Sequence, residues 1–205
     1  MTISKINGVT KATLSKINGV TKASVSKVNG ESIGTANGTL LTQTLNTNAD
    51  GQNGQTHVER VAAAAMTLPS GAITQVRVRF EAGSTEQLTI TNAYVGHRAG
   101  AGDAYDFSTT PVQLLFSGAA NVTIPAGTTQ WSDWASFAYN KTSDMLVAYY
   151  MGGGTGADMD RYVSGLSANY DHFNKAANDA ATVDKTGYGT SSGVSTIKGI
   201  ESDGF

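Results

Sequence analysis

The chain has no cysteine, only three prolines, and charged side chains at just 15% of its 205 positions. Without cysteine there is no disulfide, no thiolate metal site and no thiol nucleophile, so stability rests on packing and assembly. Such a chain also suits synthesis in a reducing cytosol followed by work outside it. Charge is nearly balanced, 14 Lys and Arg against 16 Asp and Glu, and so nominates neither nucleic acid nor an anionic membrane as a partner. No window is long and apolar enough to span a bilayer. Met1-Thr2-Ile3-Ser4-Lys5 lacks the basic start and apolar run of a secretory signal. The expectation is a protein that inserts in no membrane and reaches a cell exterior by lysis or as part of a particle.

What is abundant is glycine, at 24 residues, together with Thr, Ser and Asn. That composition points to an all-β chain with many tight turns. The first third says one phrase three times, at an 11-residue period: Ile3-Ser4-Lys5-Ile6-Asn7-Gly8-Val9, Leu14-Ser15-Lys16-Ile17-Asn18-Gly19-Val20 and Val25-Ser26-Lys27-Val28-Asn29-Gly30-Glu31. An 11-residue period also marks right-handed helical coiled coils. Composition opposes that reading, because Asn-Gly at the middle of each unit, flanked by Ile, Val and Thr, disfavours helix. Asn-Gly between β-branched residues is instead a strong hairpin signal, since both residues tolerate the positive φ of a type I′ turn. Each unit therefore reads as strand, turn, strand, with Asn7-Gly8, Asn18-Gly19 and Asn29-Gly30 at the turns.

About 33 residues of such units bury too little surface to offset the entropy of ordering them. The missing surface must come from other chains, through Ile3, Ile6, Val9, Leu14, Ile17, Val20, Val25 and Val28. A three-fold bundle of identical chains meets the need, and so does a groove on a larger assembly. A Ser/Thr/Gly tail with accidental repetition is the competing reading.

The division expected is an anchoring or oligomerisation segment at 1–33, a Thr/Asn/Gly linker at 34–56 carrying Leu40, Leu41 and Leu45, and one domain at 57–205. Val61-Ala62-Ala63-Ala64-Ala65-Met66 stays undecided between a short helix and a first strand, because Pro69 stops it early. In Thr74–Glu81, Val76, Val78 and Phe80 share one face while Gln75, Arg77 and Arg79 share the other, which is a half-buried strand. Leu88–Val95 alternates too, with a parity change that suggests a bulge near Asn92. Strands follow at 112–116, 121–124, 134–139 and 145–150, the last apolar on both faces and so expected to be central and covered from both sides. Shorter strands are expected at 161–163, 170–173 and 195–200, the last completing a sheet. Regular spacing with turn punctuation predicts a β-sandwich or jelly roll.

Chemistry finds little purchase. Gly189-Thr190-Ser191-Ser192-Gly193 matches G-x-S-x-G in form, yet no His follows it and no helix is legible after it, so a Ser/Gly loop is preferred. His57, His97 and His172 lack metal-ligand spacing. Asp103 with Asp106, and Asp158 with Asp160, lack the dense oxygen pattern of a calcium loop, and turn capping explains them better. Gly96–Gly102 lacks the Gly-Lys-Ser/Thr ending of a phosphate loop. No catalytic residue, metal or cofactor is expected. One binding feature stands out: Trp131 and Trp134 around Asp133, where indoles stack on a sugar ring and the carboxylate fixes hydroxyls. Against this, Trp134 begins a strand and reads more readily as a core plug.

The tandem Ser-Lys-(Ile/Val)-Asn-Gly units of residues 3–31 resemble those near the N-termini of tailed-bacteriophage virion proteins. The pattern from about 73 to 150, with Gly102-Asp103-Ala104-Tyr105-Asp106-Phe107 and Ile124-Pro125-Ala126-Gly127, resembles the β-sandwich modules such proteins carry. The resemblance implies a fibre, spike or head-decoration protein at the virion surface, assembled in the bacterial host cytoplasm. Its implied partners are other virion proteins, copies of itself in a homotrimer, and a host cell-surface polysaccharide. No catalytic residue carries over. The alternative is a carbohydrate-binding module of a cell-envelope hydrolase or adhesin.

Overall fold

A computed structural model describes residues 5–6, 9–10, 16–17, 20–21, 27–28, 31–32, 37–45, 47–49, 51–152, 159–161, 169–191, 193 and 196–205. Among these residues there is no α-helix, and the strands build two antiparallel sheets around a shared core.

In the repeats, β1 (Lys5–Ile6) pairs with β2 (Val9–Thr10), β3 (Lys16–Ile17) with β4 (Val20–Thr21), and β5 (Lys27–Val28) with β6 (Glu31–Ser32). The register is the same each time: Ile6 faces Val9, Ile17 faces Val20 and Val28 faces Glu31. Among the described residues none of the six joins another sheet. The expected turn residues Asn7, Gly8, Asn18, Gly19, Asn29 and Gly30, and the expected anchoring residues Ile3, Leu14 and Val25, lie outside the described residues.

The first sheet contains β7 (Gly38–Thr42), β10 (Ile73–Glu81), β14 (Thr129–Trp131), β15 (Ala135–Tyr139) and β20 (Ile197–Ser202). Its order is β14, β10, β20, β7, with β15 also on β10. The second contains β9 (Gln55–Val61), β11 (Leu88–His97), β12 (Val112–Leu114), β13 (Val122–Ile124), β16 (Met145–Met151), β18 (Tyr170–Lys175) and β19 (Gly189–Ser191). There β12 and β13 share one edge of β11, and β16, β9, β18 and β19 follow in order from its other edge. Outside both sheets, β8 (Thr47–Ala49) pairs with β17 (Met159–Arg161).

Period-two alternation sets the faces. Val76, Val78 and Phe80 of β10 are fully buried, against Val95, Val147 and Tyr149 of the second sheet in one cluster. Phe80 meets Tyr149 edge to face at 5.6 Å, which joins the two layers. The strand apolar on both faces is central as expected: β16 lies between β11 and β9, with Met145, Val147 and Tyr149 in the shared core and Leu146 and Ala148 in a second cluster. That second cluster is roofed by the loops around Tyr105 and Tyr188, whose rings stand 4.8 Å apart. The loops are tied down by Asp106, whose carboxylate accepts from the backbone N–H groups of Lys185 at 2.8 Å and Asp103 at 2.7 Å.

Bulges adjust the registers. The ladder between β11 and β16 shifts between Ile90 and Asn92, at the site of the expected bulge. Another shift between β10 and β20 lets Ile197 and Ile200, three residues apart, both reach the core. Part of the stretch expected to be linker is edge strand: β7 pairs with β20, and Leu40 and Leu41 are 2% and 3% exposed. Two adjacent leucines gain more from the core than from water, and Thr39 and Thr42 suit an edge. The undecided segment resolves as strand to Val61 and then one 3-10 turn at Ala63–Ala65.

Candidate functional site

Among the described residues, the outer face of the second sheet carries a second apolar cluster, whereas the outward positions of the first are half-buried or exposed, which leaves that face open. On this open face β10 presents Arg77 and Arg79, β20 presents Lys198 and Glu201, and β14 brings Trp131 directly opposite Arg79. β14 and β15 both pair with β10, one at each end, and the chain between them steps inward. At that step Ser132 is buried, its N–H donating to the Val78 carbonyl at 2.8 Å and its hydroxyl accepting from the Val78 N–H at 3.0 Å. Trp131, one residue before Ser132, and Trp134, two residues after it, are thereby turned back to the surface, each half-buried.

The Arg77 guanidinium lies 4.6 Å from the Trp131 ring centre and 4.8 Å from that of Trp134, and Arg79 lies 5.0 Å from Trp131. Cations over indole faces are attracted by the ring quadrupole, and a planar guanidinium also stacks. Arg77 is fixed further by Glu201, whose Oε2 accepts from its Nε at 2.8 Å and Nη2 at 2.6 Å. The result is an ordered ladder of Trp134, Arg77, Trp131 and Arg79. Trp134 is therefore not a core plug. It shares parity with Ser136 and Ala138, whereas Ala135, Phe137 and Tyr139 point inward, and that alternation was present in the sequence.

Asp133, named with the two tryptophans as a hydroxyl-fixing carboxylate, is exposed and holds a turn. Its carboxylate accepts from the Ser117 N–H at 3.1 Å and the Gly118 N–H at 2.7 Å, closing a turn in which Ser117 takes a positive φ of 53°. Asp133→Ala is expected to cost about 1 kcal/mol for these exposed charge-assisted bonds. That would lower the melting temperature by about 2–4 °C in a thermal scan.

The histidines behave differently from one another. His97 is half-buried against Phe137 and Tyr139, with Nε2 accepting from the Asn140 N–H at 2.7 Å. His57 and His172, 115 residues apart in sequence, meet inside the domain with Nδ1 of the first 3.2 Å from Nε2 of the second. Pairing of β9 with β18 brings them together. No sequence spacing announces such a pair. Burial lowers the His57 pKa to about 4 and that of His172 further below its usual value. Among the described residues no three His, Asp or Glu side chains gather as metal ligands. In the former G-x-S-x-G stretch, Gly189–Ser191 is edge strand β19.

No family model matches the chain, and no curated protein matches it either.

Proposed function

We propose that the chain is a non-enzymatic structural protein of a tailed-bacteriophage virion, a fibre, spike or decoration protein. Its N-terminal repeats anchor or trimerise it, and its two-sheet domain, read as a β-sandwich of jelly-roll type, faces outward. The observation that carries this is the set of three hairpins in identical register, each pairing only within itself among the described residues. An isolated two-stranded hairpin is at best marginal in water. Three in a row at a fixed period are economical only where copies or neighbours supply the missing surface. The sequence resemblance to virion proteins supplies the setting, and other virion proteins are the implied partners.

The Trp131–Arg77–Trp134 ladder favours a second role for the domain, contact with host surface polysaccharide. The same ladder would serve a carbohydrate-binding module of an envelope hydrolase or adhesin.

Light scattering after size exclusion separates these readings. The full chain is expected at three times its 21.2 kDa chain mass, and a chain lacking residues 1–33 at one chain mass with its cooperative melt retained. Asn18→Ala combined with Gly19→Val, which removes the middle turn signal, is expected to weaken assembly in the same way. A full-length monomer, or an oligomer unchanged by the deletion, refutes trimerisation through the repeats.

A further inference from the structure

We infer that the open sheet face takes an acidic polysaccharide, with a uronate-type ring against Trp131 and its carboxylate on Arg79. This rests on the reading of the open face as the host-contacting one. Three cations and two carboxylates stand on the outward positions of β10 and β20: Arg77, Arg79 and Lys198 against Glu81 and Glu201. Each carboxylate already has its cation, Glu201 with Arg77 at 2.6 Å and Glu81 with Lys198 at 2.7 Å. Among the described residues Arg79 is left without a carboxylate, and its buried Nε has no hydrogen-bond partner. A guanidinium whose charge no acceptor answers is costly, so an anion that reaches its outer Nη edge meets a cation not already engaged.

The seat is shaped for a flat group. Gly199 lies directly opposite Arg79 across the ladder, and a Cβ there would meet the Arg79 Nη2 and Nε at the ordinary contact distances of 3.6 and 3.8 Å. The guanidinium thus lies down over β20 while its other flank meets the Trp131 ring at 5.0 Å. A stacked guanidinium keeps its N–H donors in the plane of its edge, the geometry that carboxylates accept in pairs. Beside it the indole offers an apolar face of the size of a pyranose ring.

Nucleic acids draw affinity from many cations at once. A single uronate ring joins an apolar pyranose face to one carboxylate, which matches one indole beside one arginine that no carboxylate among the described residues pairs.

The experiment is affinity electrophoresis of the full chain in gels containing polygalacturonate, its fully methyl-esterified neutral form, or oligodeoxythymidine. Retardation by polygalacturonate but not by the ester is expected. Arg79→Gln should weaken it about tenfold or more, the scale of one charge-assisted hydrogen bond, at an unchanged melting temperature. Trp131→Ala should weaken it as well. Equal retardation by acid and ester, lost in Trp131→Ala but kept in Arg79→Gln, overturns the acidic preference and leaves host contact through this face standing. Retardation by neither polymer overturns both. Stronger retardation by oligodeoxythymidine overturns the inference in favour of nucleic acid.

Discussion

Lowering the pH from 7.5 to 5 is expected to remove about 2 kcal/mol of stability through His57 alone, and replacing His57 and His172 together should abolish that loss. Both rings are 0–1% exposed and stack at 5.2 Å, with His57 also stacked on Tyr149 at 5.4 Å. The hydrogen-bond chain fixes their tautomers. His57 Nε2 lies 3.3 Å from the Gln52 carbonyl, which only accepts, so that nitrogen carries the hydrogen. His57 Nδ1 is then the acceptor, and His172 Nε2 must donate to it. What remains is the His172 Nδ1 lone pair, buried with no partner among the described residues. Both rings are neutral in the fold because burial penalises the cation, with His57 brought down to about 4.

The unfolded chain titrates these rings near pH 6.5 and so binds more protons than the fold between about pH 6.5 and 4. Stability therefore rises with pH across that window and falls as acid is added. Urea midpoints at pH 7.5 and 5 measure it. His57→Phe with His172→Met removes both titrating groups and the orphan lone pair together, and should flatten the acid limb. The slope that survives belongs to His97, whose pKa burial also lowers. An acid limb of undiminished steepness in the double variant refutes the assignment.

This pair shows where sequence reading reaches and where it stops. Alternation made β10 and β16 legible, since Val76, Val78 and Phe80 need one partner layer and Met145–Tyr150 needs two. The parity change at Asn92 marked its bulge for the same reason. β9 defeats such reading: Gln55, His57, Glu59 and Val61 occupy the inward parity, so polar residues stand where apolar ones are sought. They are tolerated because Glu59 accepts from the Gln43 side chain at 2.7 Å and His57 from His172. Those partners come from opposite ends of the chain, and local pattern carries no trace of them. The candidate site divides likewise. Trp131 and Trp134 were visible as residues, but Arg77 and Arg79 read only as the polar side of a strand until β14 was placed beside them.

Asp203→Ala is expected to cost about 3 kcal/mol, from charge-assisted bonds lost and backbone donors left without an acceptor. The last ladder pair between β10 and β20 is Val76 with Ser202, and just beyond it the ladder between β10 and β15 shifts between Ile73 and Gln75. The backbone donors of that irregular stretch go to one side chain. Asp203 Oδ1 accepts from the Thr74 N–H at 2.8 Å and the Gln75 N–H at 2.9 Å, and Oδ2 from the Thr74 hydroxyl at 2.5 Å. Its own N–H donates to the Gln75 carbonyl at 3.2 Å, and the Gly71 N–H donates to Gly204 next door at 3.1 Å. Burial pushes the Asp203 pKa up, but these donors outweigh it and hold the carboxyl below its usual value. A depressed carboxylate pKa stabilises the fold above the unfolded pKa, near 4, and that contribution fades only as pH falls through the folded value. The melting temperature should therefore drop by about 6–12 °C at pH 7, and by nearly the same amount at pH 5, where the histidine effect is already large. Asp203→Asn, which keeps one carbonyl acceptor, should lose about half as much. A deficit in Asp203→Ala that vanishes by pH 5 would mean that the carboxylate is not what holds the end of β20 to β10.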